Sequence, residues 1–188
     1  MNFGFTEEQD ELRRQTRRFL DQECPLETVR AIMAAEAPHD RGLWKKMGDL
    51  GWLGLTVSEN YGGLGLSWED LIVVAEEMGR TLFPSPFLAN TAAQQAIVLL
   101  GTEEQKTRLL PPLCDGSRIA TIALLEESDD LSEAGVQMRA EASGGEYRLT
   151  GKKLFVEDGG AADLLLVAVR EGAGVTLLAV PRETPGIA

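Results

Sequence analysis

Residues 47–90, MGDLGWLGLTVSENYGGLGLSWEDLIVVAEEMGRTLFPSPFLAN, constrain the fold of this chain more than any other stretch. Two amphipathic helices are joined there by a glycine-dense loop of fixed punctuation. The first reads as ending at Gly51 and gives way to Trp52–Val57 and then to Glu59-Asn60-Tyr61-Gly62-Gly63-Leu64-Gly65. The next helix opens at Ser67, whose hydroxyl caps orphan amides, with Asp70 three residues on to complete a capping box. Glycines at 62, 63 and 65 permit positive φ and close backbone approach, which a merely flexible linker does not require.

Helical spacing continues on both sides of this stretch. Leu12, Thr16, Phe19 and Leu20 line one face of a helix that starts at a Thr6–Gln9 capping box. Leu71, Val74, Ala75 and Met78 form a second stripe, and Leu88, Ala92, Ala96 and Leu99 a third. Thr102 with Gln105 caps a last helix, which Pro111-Pro112 is expected to stop because proline lacks the donor and clashes with the preceding turn. After Gly116 the pattern changes to short apolar or alternating runs at 119–125, 135–142, 146–155, 162–169 and 175–180, broken by glycine pairs. Gly144-Gly145 reads as a hairpin turn. The expected fold is therefore α+β, with about six helices over residues 1–112 and a partial antiparallel sheet or barrel over 113–188.

Charge and composition exclude several functions. A net charge of −12 argues against a nucleic-acid surface, since phosphates need Lys and Arg to neutralise them. The acidity is spread evenly, with 11 basic and 17 acidic side chains before residue 113 and 7 and 13 after it. No apolar run is long enough for a membrane span, and residues 1–10 are too acidic for a signal peptide, so a cytoplasmic location is expected. Cys24 and Cys114 form no CxxC pair, and His39 is the only histidine, so no metal site is expected. His39, between Pro38 and Asp40, reads as a plain surface residue.

Several ordered motifs resemble one family. The LGWLGL…YGGLG…ED…VAEEMGR arrangement, the FTEEQ opening at 5–9, GTEEQK at 101–106 with LLP at 109–111, LTGK at 149–152 and VPRETPG at 180–186 are similar, in order and approximate spacing, to the acyl-CoA dehydrogenase flavoenzymes. The resemblance covers nearly the whole chain. It implies a helical N-terminal domain and part of the middle β domain, with FAD as cofactor and an acyl-CoA thioester as substrate. It also implies that the family's C-terminal four-helix domain, with the glutamate base, lies beyond Ala188; no catalytic residue is therefore assigned, and the 188-residue chain alone is expected to be inactive.

The resemblance also assigns site residues. The family's first flavin motif, similar to Y-x-V-T-E-P, aligns with 122–127, which places Leu124 and Leu125 at the isoalloxazine and puts Leu125 where the family has threonine. The second motif, W-I-T-N-G, aligns with Phe155-Val156-Glu157-Asp158-Gly159, so Phe155 stacks beside the ring and Glu157 replaces a neutral hydroxyl. The backbone N–H of Leu125 retains its capacity to donate. Leu88 and Ala92 fall on the helix that lines the acyl pocket, whereas Ala96 and Leu99 read as core. Glu126, Glu127, Asp129, Asp130 and Glu133 would gather five carboxylates near an anionic cofactor. One like-charge contact at 4 Å costs about 1 kcal/mol in water and several times that when partly buried.

Three readings follow. The chain is part of an FAD-dependent acyl-CoA dehydrogenase acting in lipid or steroid catabolism, seen as one piece of it. Alternatively it is a non-catalytic scaffold subunit with a degenerate flavin site, similar to sister subunits in heteromeric bacterial members of the family that act on steroid side chains. The third reading is a diverged binding module with no redox role. Homo- or hetero-oligomerisation with related subunits is expected in the first two.

Overall fold

A computed structural model describes residues 4–35 and 39–188. Pro38 and the first three residues, on which two of the sequence expectations partly rest, lie outside that set. Six helices come first: α1 (Glu7–Glu23), α2 (Leu26–Ala34), α3 (Arg41–Asp49), α4 (Trp68–Arg80), α5 (Phe87–Leu100) and α6 (Glu103–Cys114). Five strands follow: β1 (Ala120–Ala123), β2 (Ala140–Ser143), β3 (Glu146–Leu149), β4 (Leu164–Glu171) and β5 (Gly174–Pro181). The α+β expectation holds, and the change from helix to strand falls between Cys114 and Ala120.

The local signals act as their chemistry dictates. Thr6, Ser67 and Thr102 each accept from the third backbone N–H of their helix, while Gln9, Asp70 and Gln105 reach back to the cap. Two short 3-10 turns, at Trp52–Gly54 and Glu59–Tyr61, occupy the glycine-rich loop. The loop closes on itself through Leu64 N–H to Gly54 O (2.9 Å), Gly65 N–H to Val57 O (2.8 Å) and Leu66 N–H to Leu55 O (2.8 Å). A Cβ at Gly63 would stand 2.0 Å from the Val57 carbonyl oxygen, so only glycine fits there. Gly144 and Gly145, both at positive φ (62° and 86°), form the two-residue hairpin loop between β2 and β3.

Three expectations are corrected. Pro111 and Pro112 lie inside α6 and do not stop it. The carbonyls that lose donors, on Thr107 and Arg108, belong to exposed residues that water can reach, and Asp115 N–H still bonds Pro111 O (3.1 Å). The stripe Leu88, Ala92, Ala96 and Leu99 is the outer side of α5, with Leu88 56% and Leu99 78% exposed. Ala89, Asn90, Ala93, Gln94 and Ile97 are buried in its place. The third correction concerns His39, which is buried edge-on against Trp44 with ring centroids 6.1 Å apart.

The strands form a three-stranded sheet in the order β1-β4-β5 and a separate β2–β3 hairpin. β4 and β5 pair antiparallel, as do β2 and β3, but β1 runs parallel to β4 with Ala120 opposite Leu164. Residues 164–169 of β4 are buried throughout, because both faces of this central strand are covered. Leu164 and Leu166 pack with Ala93, Ile97, Leu110 and Leu113 of the helices. Leu165, Val167 and Val169 pack with Met138, partly buried Val156 and other apolar residues on the opposite face.

Buried amides join helices to sheet. Asn90 donates to Leu113 O at the end of α6 (3.1 Å) and accepts from Ala120 N–H at the start of β1 (3.0 Å). Gln94 donates to Leu53 O in the glycine-rich loop (2.8 Å). Asn90→Ala leaves a buried carbonyl and a buried N–H without partners and is expected to cost about 2–4 kcal/mol, read as a lower urea midpoint.

A second polar device ties α1 to α4. Glu77, buried on α4, takes hydrogen bonds from Arg17 (2.6 and 2.9 Å) and from Arg80 (2.7 Å). The Arg17 bonds outweigh the opposing effect of burial and, with Arg80, lower its pKa from 4.5 to about 2. Because the folded value is depressed, this stabilisation is fully present above pH 4.5 and disappears as pH falls toward 2. The shift corresponds to about 2–3 kcal/mol, reduced from the full value because both arginines are partly solvated. Acid titration of the parent should show this loss between pH 4.5 and 2, and Glu77→Gln should flatten it.

Candidate functional site

Two hydrogen bonds bring the 124–126 and 154–157 segments side by side. Leu154 N–H donates to Leu125 O (2.9 Å), and the Thr121 hydroxyl on β1 donates to Glu157 O (2.6 Å). Leu124 is 42% exposed and Phe155 87% exposed, so an aliphatic and an aromatic side chain stand at the surface of this paired ledge. Leu125 is half-buried and the Glu157 side chain is exposed. Phe155 adopts φ +50°, a left-handed conformation that costs a non-glycine residue about 1 kcal/mol or more. Such strain commonly marks a functional segment.

The acidic stretch is less repulsive than its sequence implies. Glu126 is largely buried and pairs with the buried ammonium of Lys153 at 2.6 Å. Burial pulls the Glu126 carboxyl upward, but Lys153 and the N–H groups of Met138 and Gln137 hold it below its ordinary value. Lys153 also donates to Leu124 O (3.1 Å), which fixes the ledge from beneath. Asp130 accepts from Ser132 N–H, and Glu133 lies 3.7 Å from Arg170. Of the carboxylates near the ledge, Glu127, Asp129, Glu157 and Asp158 have side chains without a hydrogen bond or ion pair among the described residues. Burial first, and then Glu157, pushes the Asp158 carboxyl above its ordinary value.

Leu88 and Ala92 lie on α5, and only Leu88 borders a cavity there. Leu88 lines a groove of about 220 Å³ at the α4–α5 junction with Ala75, Met78, Leu82, Phe83 and Phe87. Ala92 is exposed one turn further along and is not part of the groove lining. Leu82 holds φ +55° and is 68% exposed, which sequence periodicity does not reveal. The motif L-T-G-K-K contains Lys153, but nothing in its spacing identifies Glu126 as the partner.

The residues present suit one half of a flavin ring. Leu124 and Phe155 offer an apolar platform for its hydrocarbon edge. Of the four assigned residues Leu124, Leu125, Phe155 and Glu157, only Glu157 has a hydrogen-bonding side chain, an acceptor when ionised, so donors from these positions must come from the main chain. Buried cysteines offer no alternative redox chemistry, since burial pushes the Cys114 thiol up to about 12. Among the described residues no cluster of three His, Cys, Asp or Glu could hold a metal, and no helix is long and apolar enough to cross a membrane.

Comparison with known proteins identifies the family. Residues 6–117 match the family described as acyl-CoA dehydrogenase, N-terminal domain. Isovaleryl-CoA dehydrogenase, mitochondrial, of Pongo abelii is 31% identical over 97% of this chain and 46% of its own length. Among solved structures, the ChsE4-ChsE5 complex of Mycobacterium tuberculosis superposes with a TM-score of 0.87 at 30% identity, covering 100% of this chain and 50% of that one. A glutaryl-CoA dehydrogenase of Mycobacterium smegmatis in complex with FADH2 gives 0.86 at 27% identity, covering 97% and 47%. The chain belongs to the acyl-CoA dehydrogenase family. It spans about half the length of the relatives it matches.

Phe155 is exposed and holds a strained backbone, so its side chain adds little to the stability of the fold. Phe155→Gly relieves the left-handed strain and removes almost no buried surface. Its thermal midpoint is therefore expected to equal or exceed that of the parent, whereas removal of a core aromatic costs about 3–5 kcal/mol.

Proposed function

We propose that this chain is the helical and flavin-facing portion of an FAD-dependent acyl-CoA dehydrogenase that desaturates an acyl-CoA thioester at its α,β bond in lipid or steroid catabolism. The exposed Leu124–Phe155 platform, held by Lys153 and Thr121, is the observation that carries this reading. When bound, the flavin supplies the hydride acceptor. Leu124 and Phe155 shield its hydrocarbon edge from water, the Leu125 main chain donates to its polar edge, and Leu88 borders the acyl groove. The chain divides for this purpose into a helical domain at 1–112 and a β domain at 113–188, and the protein works in the cytoplasm as an oligomer. Similarity to an FADH2-bound dehydrogenase supports the cofactor assignment.

A second reading is favoured by one specific feature. Glu157 places an unpaired carboxylate, and Leu125 an apolar side chain, where the family resemblance implies two neutral hydroxyls. A scaffold subunit that shapes a partner's site tolerates both changes. The similarity to a two-component complex is consistent with that role.

Flavin titration of the full-length protein, alone and with its partner subunit, separates the two. Leu125→Thr with Glu157→Thr adds two neutral hydrogen bonds and removes one repulsive charge, together about 2–4 kcal/mol. That is roughly thirty- to several-hundredfold in affinity, read by fluorescence quenching. A parent that binds weakly and a double variant that binds in this range establish the scaffold reading. A yellow parent that binds tightly and gains nothing establishes the enzyme.

A further inference from the structure

β5 is the outer strand of its sheet, and no strand pairs with its far edge among the described residues. Edge strands left open to water usually carry a lysine, an inward charge or a bulge that blocks further pairing. Residues 172–181 carry no charge, and the one proline stands at the end of the strand. A groove of about 540 Å³ lies between β5 and β3, lined by Tyr147 and Leu149 of one and Leu178 and Val180 of the other. β3 is likewise paired on one side only.

Cavities open on both faces of β5. On the helix side, where Leu177 packs, spaces of about 70 and 560 Å³ both border Ala179. On the other side, where Leu178 and Val180 pack, a space of about 740 Å³ borders Val180, Leu165 and Val167. A segment that fills these spaces must be extended, to use the free main-chain groups of the edge, and apolar on both faces, as β4 is. The larger helix-side cavity adds a charge requirement. Arg108 and Arg118 line it, no carboxylate does, and neither guanidinium has a hydrogen bond or ion pair among the described residues. Arg118 is fixed there by its own N–H, which donates to Pro112 O at 2.9 Å.

We propose that the open edge of β5 receives an extended strand of a partner polypeptide, antiparallel to β5, apolar on both faces and carrying a carboxylate near its N-terminal end. The antiparallel direction continues the β4–β5 ladder and gives the more stable pairing per residue. It also brings the partner's N-terminal end to Pro181, where Arg108 and Arg118 stand. A second copy of this chain meets only half of the requirement. Its β5 is apolar on both faces, but the nearest preceding carboxylate, Glu171, already accepts from the Tyr147 hydroxyl at 2.5 Å. The Leu124–Phe155 ledge follows β1 at the opposite edge of the sheet, so the docked strand leaves it open and the inference does not rest on the flavin reading.

The probe is a capped, fluorescently labelled peptide, SEVLVTVLVK, compared by anisotropy with the same peptide carrying lysine for its glutamate. The glutamate peptide should bind the 188-residue chain about tenfold more tightly than the lysine peptide. Arg108→Glu with Arg118→Glu should reverse that preference, which a general apolar affinity would not do. Ala179 is exposed in the free chain, so Ala179→Lys should keep the parent's circular dichroism and thermal midpoint while abolishing binding of both peptides. Affinity weaker than about 1 mM for the glutamate peptide, equal affinity for the two, or binding that survives Ala179→Lys overturns the proposal. Sedimentation of the chain alone tests the other occupant: a dimer that Ala179→Lys dissociates assigns the edge to a second copy and overturns it as well. No flavin enters either measurement, so these failures leave the cofactor reading standing, and a failed flavin titration leaves the docking edge intact.

Discussion

The buried carboxamide of Asn90 is the point at which the helical part and the sheet depend on one another. Its donor end closes the last turn of α6 at Leu113, and its acceptor end receives the first amide of β1 at Ala120. A carboxamide can serve both because it carries a donor and an acceptor on one planar group. No apolar residue at that position could satisfy either partner. Once β1 is fixed there, β4 and β5 follow by register, with Ala120 opposite Leu164 and Leu164 opposite Pro181. The ledge that carries Leu124 and Phe155 extends directly from the far end of β1. Geometry at the candidate site is thus inherited from a side chain in the first turn of α5.

Sequence reads most clearly where one residue type has one physical use. Thr6, Ser67 and Thr102 announce helix starts because a short hydroxyl followed by a reciprocal partner three residues on has little other purpose. Gly63 is legible for a similar reason, since the loop cannot close with a Cβ facing the Val57 carbonyl. Gly144-Gly145 marks its hairpin equally well. Such signals are local, and they recover the element order and the change from helix to strand.

Pairing across space is less legible. An apolar run such as LLLVAV states that β4 is buried on both faces, but it carries no direction, so the parallel pairing with β1 is invisible. The face of α5 is misread because Asn90 and Gln94 count as polar in any periodicity, while in the fold they are buried and fully engaged. His39 is misread in the same way, since its burial depends on Trp44 and on segments more than a hundred residues away. The acidic stretch reads as mutually repulsive because the ammonium that neutralises Glu126 comes from Lys153, 27 residues later. Each error has one cause: the partner that decides the residue's environment is distant in sequence.

These corrections change where the electrostatic question at the candidate site falls. With Glu126 neutralised, Asp130 engaged in a turn and Glu133 facing Arg170, the carboxylates of this region left without a side-chain partner among the described residues are exposed Glu127 and Asp129 and the Glu157–Asp158 pair. The Glu157–Asp158 pair also lies on strained backbone, with Phe155 and Asp158 at φ +50°, beside an aromatic ring that is 87% exposed, and burial, followed by Glu157, pushes the Asp158 carboxyl above its ordinary value. Charge, strain and exposure therefore converge on four consecutive residues held to the rest of the molecule by Thr121, by the packing of Val156 on the sheet, by the turn at Asp158 and by Ala161.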